Sequence, residues 1–316
     1  MSGRGWGMAR AAVTLAFFVA VAWLLRDELR TLDPHEIFAV LSDFSPVRIA
    51  MALLLTSLCY ALVASYDRLA SRQASVRLPC ALGYAIAFVS YALNFNVGAM
   101  VGAVGFRYRL YSQAGVDAGR IGAILACSIV TNWSGCLTVL GAMLIADPSA
   151  IELGWDLPAA TSRLLGLAAL APVAAYLIAT RLRRAPIRVR GVSLAMPDTR
   201  FALAQIALAS AYWLIVPLII YVLRPPGATF GYSQVAVAYG LAAVAGIAIR
   251  LPAGLGVVEA VFLEIFRSQL GGAAILAMLI AWRAVFLVAP LAVAAIVLIV
   301  LELRGRPPLK SAVARR

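Results

Sequence analysis

The sequence predicts an all-α polytopic membrane protein of about six full spans plus two re-entrant helical hairpins, arranged as an inverted-topology repeat. Three observations lead there. Apolar residue types make up 63% of the chain and its mean hydropathy is +0.93, against roughly 45–50% apolar content in a soluble domain. Only 13% of residues are charged, and nearly all of them fall between the apolar runs. Two glycine-interrupted apolar stretches, NFNVGAMVGAVGF within 84–106 and RLPAGLGVVE within 235–266, occupy matching places in the two halves. In hydrocarbon a broken helix persists only where protein or trapped water covers the freed backbone groups, so a matched pair points to an enclosed polar site at membrane depth.

The elements follow in order. About 20 apolar residues are needed to cross about 30 Å of hydrocarbon. Runs of that size occur at 7–25, 47–66, 121–146, 164–180, 201–223 and 273–303. The run 7–25 reads as a retained anchor and not a cleaved signal, because no small-x-small site follows it and the chain passes directly into Arg26, Asp27 and Glu28. Pro34, Ile37, Phe38, Leu41 and Phe44 form a short amphipathic stretch in the loop that follows, which fits a helix lying in the membrane interface. Pro172, Pro217 and Pro290 fall inside spans, as kinks or hinges.

Charge sets the topology, since Lys and Arg mark short cytoplasmic loops. Arg68, Arg72 and Arg77, then Arg107, Arg109 and Arg120, then Arg181, Arg183, Arg184, Arg188, Arg190 and Arg200 place three polar stretches inside, with both termini. The loops 26–46 and 147–158 are dominated by acids and belong outside. The segment 78–106 then has both flanks on the cytoplasmic face and is expected to be re-entrant. By the same reasoning 235–266 dips in from outside. The first repeat covers 1–146 and the second, inverted, covers 147–316, ending in a basic cytoplasmic tail. Glycines that merely let helices pack would also explain the broken stretches.

An ionisable residue within a span is a functional candidate by default, because a central charge costs roughly 2.5–3.5 kcal/mol on insertion scales. Arg283, in AILAMLIAWRAVFLVAP, is the clearest case, either as a substrate contact or as an ion-pair partner of Glu259 or Glu264. Arg250 ends one half-helix of the second broken stretch, and Pro252, Gly254 and Gly256 break the chain before a new helix whose N-terminus suits an anion such as a phosphate. Glu259 either caps that helix or exchanges a proton. In the first broken stretch Asn94 and Asn96 can hydrogen-bond a head group or the opened backbone, while Gly98 and Gly102 permit close approach. Arg107 and Arg109 are expected some 15 Å below that tip, at about 1.5 Å per helical residue, as head-group contacts or as ordinary anchors. Asn132, with Thr131 and Ser134, puts polar atoms into the next span.

Other chemistries have little support. Cys59, Cys80, Cys127 and Cys136 form no CxxC pair and His35 is the lone histidine, so neither disulfides nor a metal site are indicated, and no cofactor is implied. The net charge of +13 is dispersed over loops, which suits anionic lipid and not nucleic acid. No cluster of acid, nucleophile and base marks a catalytic centre, and an enzyme is not expected.

The run NFNVGAMVGAVGFRYRLYSQAGV, the later RLPAGLGVVE and the stretch 33–46 resemble the membrane region of lysylphosphatidylglycerol synthetases, a family that includes short stand-alone bacterial inner-membrane proteins of about this length. In the two-part synthetases this region is regarded as the flippase and a separate cytoplasmic domain makes the lipid. The resemblance implies a bacterial cytoplasmic (inner) membrane protein that binds or translocates a lipid with an anionic or modified head group, phospholipid or glycolipid. The chain stops after the basic tail, so a synthetase domain is not expected. A transporter of small solutes or ions on the same repeat, and an accessory or enzymatic role in envelope-lipid synthesis, as partner to a lipid-synthesis enzyme or with Glu259 near Arg250 acting at head-group level, are the rival readings.

Overall fold

The structure is a computed structural model that describes residues 44–151, 158–182, 187–189, 192–194, 197–249, 256–266 and 268–303. Helix α1 spans Pro46–Gln73 and α2 spans Cys80–Val97. A π-helical stretch, Ala99–Phe106, runs on into α3, Arg107–Gln113. Then come α4, Ala118–Ala146, a 3₁₀ turn at Pro148–Ile151, and α5, Ala159–Leu182. Two three-residue strands, β1 (Ile187–Val189) and β2 (Val192–Leu194), pair antiparallel in a small ribbon before α6, Thr199–Val222. The chain closes with α7, Tyr232–Ile249, α8, Val257–Phe266, α9, Gly272–Arg283, a second π-helical stretch, Ala284–Val288, and α10, Ala289–Leu303.

Polar residues at the ends of the apolar runs start the helices. Ser45 caps α1 by accepting from the Val47 N–H at 3.3 Å, with Pro46 in the first turn where its missing N–H costs nothing. Asp117 and Asp198 cap α4 and α6 in the same way, at 3.0 Å from Arg120 N and 2.7 Å from Phe201 N. Among the described residues six helices are long and apolar enough to cross a bilayer: α1, α2, α4, α5, α6 and the continuous rod Gly272–Leu301. Five of them coincide, to within a few residues at their ends, with runs read from sequence. The run 7–25, nearly all of the interfacial stretch 33–46 and the basic tail lie outside the described residues.

Helix α4 is the hub, packed on α1, α5, α6 and α7. Two helical hairpins are set around it. In the first, the chain reverses at Gly98, whose φ of 98° is one that residues with a Cβ rarely adopt. The returning helix then lies so close to α2 that a Cβ on Gly102 would collide with the backbone of Leu93 and Asn94. The hairpin's two arms pack on each other, and each end is tied to a neighbouring helix: Arg68 Nη1 of α1 donates to Leu78 O at 3.4 Å, and Tyr108 donates to Ala118 O of α4 at 3.3 Å. In the second hairpin α7 packs on α8, and its ends are joined by the Phe230 and Phe266 rings at 4.5 Å and by Thr229 with Gln269 at 3.3 Å.

The hairpins enter from opposite ends of the bundle. The base of the first lies where α1 and α3 end and α4 starts. The base of the second lies where α6 ends and α9 starts, beside Arg48 near the start of α1, whose guanidinium donates to Arg224 O at 3.2 Å. Ser233, in the first turn of α7, donates to Asp147 just past α4.

Candidate functional site

Both hairpins converge on the rod formed by α9, the π-helical stretch and α10. Pro290 has no N–H to give, so the carbonyl four residues earlier, Phe286 O, loses its helical donor. Tyr60 of α1 fills the gap, donating its hydroxyl to Phe286 O at 3.2 Å. Asn96, near the tip of the first hairpin, donates to the next carbonyl, Leu287 O, at 3.1 Å, and also to Ala92 O at 2.8 Å. From the other side Glu259, in the first turn of α8, reaches Arg283 at the end of α9. Arg283 Nε donates to Glu259 Oε1 at 2.7 Å while Nη2 stands 2.6 Å from the same oxygen. One helical rod thus receives both hairpins within about one turn, where proline and π-geometry have opened its backbone. Interruptions of this kind recur at functional sites in helices.

Glu259 carries two of the roles read from sequence. Its Oε2 accepts from the Gly256 N–H at 2.9 Å, capping α8, while Oε1 binds Arg283. Glu259 is the partner of that arginine among the described residues, and not Glu264. The pair is not sealed, since the two side chains keep 16% and 12% of their surface, and among the described residues Arg283 Nη2 makes no hydrogen bond of its own despite its short separation from the carboxylate. Arg250, Pro252 and Gly254, on the connection between α7 and α8, lie outside the described residues.

The first hairpin is anchored differently. The sequence reading sets Arg107 at head-group level, but the structure packs it inside, with its side chain 3% exposed. Nε and Nη2 both donate to Asp67, each at 2.9 Å, and the guanidinium lies 4.3 Å from the centre of the Tyr91 ring. The same carboxylate accepts from Ser128 Oγ at 2.8 Å and from the Tyr111 hydroxyl at 3.2 Å. The physical reason is that α1 continues past the apolar run and carries Asp67 inward to the guanidinium. Arg109 remains exposed, its guanidinium 6.0 Å from the Phe106 ring. Asn132 accepts from Trp213 Nε1 at 3.3 Å, and Asn94 lends its carbonyl to the Gly98 N–H at 3.0 Å in the turn.

Between the two ion pairs the space is filled by rings and not left as a polar chamber. Tyr91 meets Phe95 at 5.7 Å, Phe95 meets Phe286 at 5.7 Å, and Phe286 stacks on Trp282 at 5.6 Å, next to Arg283. The polar groups of the junction therefore sit at the two ends of an aromatic column.

Asp67 and Gln205 were not among the sequence candidates. Gln205 lies 1% exposed at the crossing of α4, α5 and α6, donates to Thr131 Oγ1 at 2.6 Å and accepts from Tyr176. A signal for Asp67 existed, one acid in YDRLASR amid a row of arginines, but a flanking charge is more often a solvated one.

The model of the lysylphosphatidylglycerol synthase TM region matches residues 10–294. The chain belongs to this family. It is 31% identical over 303 residues to the inner membrane protein YbhN of Escherichia coli, with 95% of each chain covered. It is 30% identical over 297 residues to the uncharacterized protein slr0712 of Synechocystis sp., covering 94% of this chain and 92% of that one. The match runs through both hairpins and every helix that meets at the broken rod, so the fold described here is that of a multi-pass membrane protein of this family.

Proposed function

We propose that the protein is a lipid-handling transporter of the bacterial inner membrane, moving a phospholipid or glycolipid with an anionic or modified head group between leaflets. One observation carries the reading: two helical hairpins, entering from opposite ends, meet on a single rod whose backbone is opened by Pro290. An arrangement in which two inverted units converge on an interrupted helix is the one alternating-access carriers use. In this reading both hairpins are re-entrant, the halves form an inverted repeat, and the arginine-rich end faces the cytoplasm.

Arg283 and Arg250 would meet the phosphate, with Gly254, Gly256 and Pro252 shaping the turn that admits it. Asn96 and Asn94 would serve the head group from the other hairpin, Gly98 and Gly102 would let that tip approach, and Asn132 would line the route. Arg109, exposed near the base of the first hairpin, would gather anionic lipid. Glu259 would hold Arg283 until a phosphate competes for it, since a guanidinium can exchange one anion for another. Arg107, committed to Asp67, would position the hairpin and not touch the lipid.

The test is leaflet accessibility in proteoliposomes carrying labelled phosphatidylglycerol, lysyl-phosphatidylglycerol or a glycolipid in one leaflet. Faster transbilayer movement of at least one of them, lost in Arg283→Gln, is the expected result. Rates equal to protein-free vesicles for all of them would overturn the reading. The family, whose name is that of a lysylphosphatidylglycerol synthase region, supports the choice of lipids.

A further inference from the structure

A cavity of about 360 Å³ indents the side of the protein between α1, α2 and α10. Leu53, Thr56 and Tyr60 line it from α1, Phe88 from α2, and Pro290 and Val293 from α10. Its mouth faces sideways. Leu53 and Val293 at the rim are 41% and 51% exposed, and the flanking faces of the same helices present Leu54, Leu58 and Ile296 bare. These helices are long and apolar enough to cross a bilayer, so the medium at that mouth is hydrocarbon.

The lining contains one polar group with nothing to do. Thr56 is 3% exposed, and among the described residues its Oγ has no hydrogen-bond partner. Hydroxyls in helices ordinarily return their proton to the carbonyl one turn back, as Ser57 does to Leu53 O at 2.9 Å and Ser65 to Ala61 O at 2.7 Å. Thr56 does not. The other hydroxyls of the wall are taken, Tyr60 by Phe286 O and Tyr84 by Ser65. A buried donor without an acceptor is costly, and no water is at hand in hydrocarbon to relieve it.

An occupant must therefore be apolar, must arrive through the bilayer, and must bring an acceptor. We infer that this pocket holds one acyl chain of a membrane glycerophospholipid, with the ester carbonyl of that chain accepting from Thr56. The inference rests on the lipid-handling reading and gives the tail a seat. Val285 and Pro290, two of its wall residues, belong to the same broken rod as Arg283, so tail and head group would be held against one element.

The test uses the full chain in vesicles of phosphatidylethanolamine and phosphatidylglycerol, with a trace of phosphatidylglycerol bearing a diazirine on one acyl chain. After illumination, adducts are mapped by peptide mass spectrometry. Adducts are expected on the buried or half-buried Thr56, Tyr60 and Phe88. Ala61→Trp, which narrows the mouth, should reduce them at least fivefold while leaving adducts on Ile178 of α5 and Leu203 of α6 unchanged. Val293→Trp does the same from the opposite wall should the first variant fail to fold. Adducts confined to exposed positions, or unaffected by a folded Trp variant, overturn the pocket. An ester-linked competitor should displace the probe at least threefold better than its ether-linked analogue, and Thr56→Val should abolish the difference. Equal competition in the unmodified protein overturns the hydrogen bond. Labelling of the pocket without transbilayer movement keeps this site and defeats the transport reading, whereas transport with an unlabelled pocket defeats the site alone.

Discussion

The two hairpins are each tied down by an arginine and a carboxylate, and the two ties are built to opposite ends. At the base of the first, Asp67 and Arg107 are 1% and 3% exposed, and the carboxylate takes four hydrogen bonds from three residues. Such a network repays the desolvation of its charges only because it is so fully satisfied. At the tip of the second, Glu259 and Arg283 are each more than a tenth exposed, and among the described residues one guanidinium nitrogen lacks a hydrogen bond. The first tie is sealed and fully satisfied, and the second is partly open. The difference separates a fastener from a place where charge can be exchanged, although both use the same pair of side-chain types.

The largest effect should come from cutting the fastener. Asp67→Ala leaves a buried guanidinium unpaired and should cost about 3–5 kcal/mol, seen as a large fall in thermal midpoint in detergent. Replacing both partners by Leu and Met should recover most of that loss, because no charge is then stranded. If the single and double variants melt alike, the first tie is no better satisfied than the second.

Next in size is Gly102→Ala. Its Cβ would be driven into the backbone of Leu93 and Asn94, so the first hairpin must open or distort. A cost of about 1–3 kcal/mol is expected, the range for overpacking a tight site. Loss of stability without any change at Arg283 would keep the two hairpins independent.

Glu259→Gln should be milder in stability and stronger in function. The amide oxygen still accepts from Gly256 or Arg283, and the pair is partly solvated, so the cost should stay under about 2 kcal/mol. Lipid movement, or binding of a phosphate-bearing lipid, should change tenfold or more. A variant that melts several times more than this range predicts, with transport intact, would make the second tie a fastener too.

The smallest effect lies at the second hairpin's base. Hydrogen bonds from Ser149 and Ser233 hold the Asp147 carboxyl below its ordinary value of 3.8. The charged form is favoured in the folded state, so this contribution is present at neutral pH and is lost as pH falls below 3.8 through the lowered value. Ser233→Ala should flatten that acid limb slightly in a pH series of melts, leaving Ser149 to hold the remaining shift.

Much of this architecture is legible in the chain. The apolar runs 121–146 and 201–223 agree with α4 and α6 to within a few residues, because a span must be apolar for its whole length in hydrocarbon. The reversal at Gly98 was also readable, since a glycine after two asparagines is where a helix in lipid can afford to break. Asp67 shows where reading stops. The run 47–66 ends at the first charge, but the helix goes on to Gln73 and takes the carboxylate with it. Whether a charge at a span's edge faces water or a partner depends on a residue forty positions away. Arg107, read as a head-group contact or an ordinary anchor, is that partner.

By itself the sequence determined where the chain can cross a membrane and where it must turn, because transfer free energy and backbone strain are local and are written into each run and each glycine. It also named Arg283 as a charge in need of an explanation. Only the tertiary structure decided which carboxylate each arginine meets, which of the two pairs is sealed, and that Pro290 frees a carbonyl for Tyr60 to claim. Those outcomes depend on distances between residues far apart in the chain, and electrostatic and hydrogen-bond energies at such sites fall away within a few ångströms.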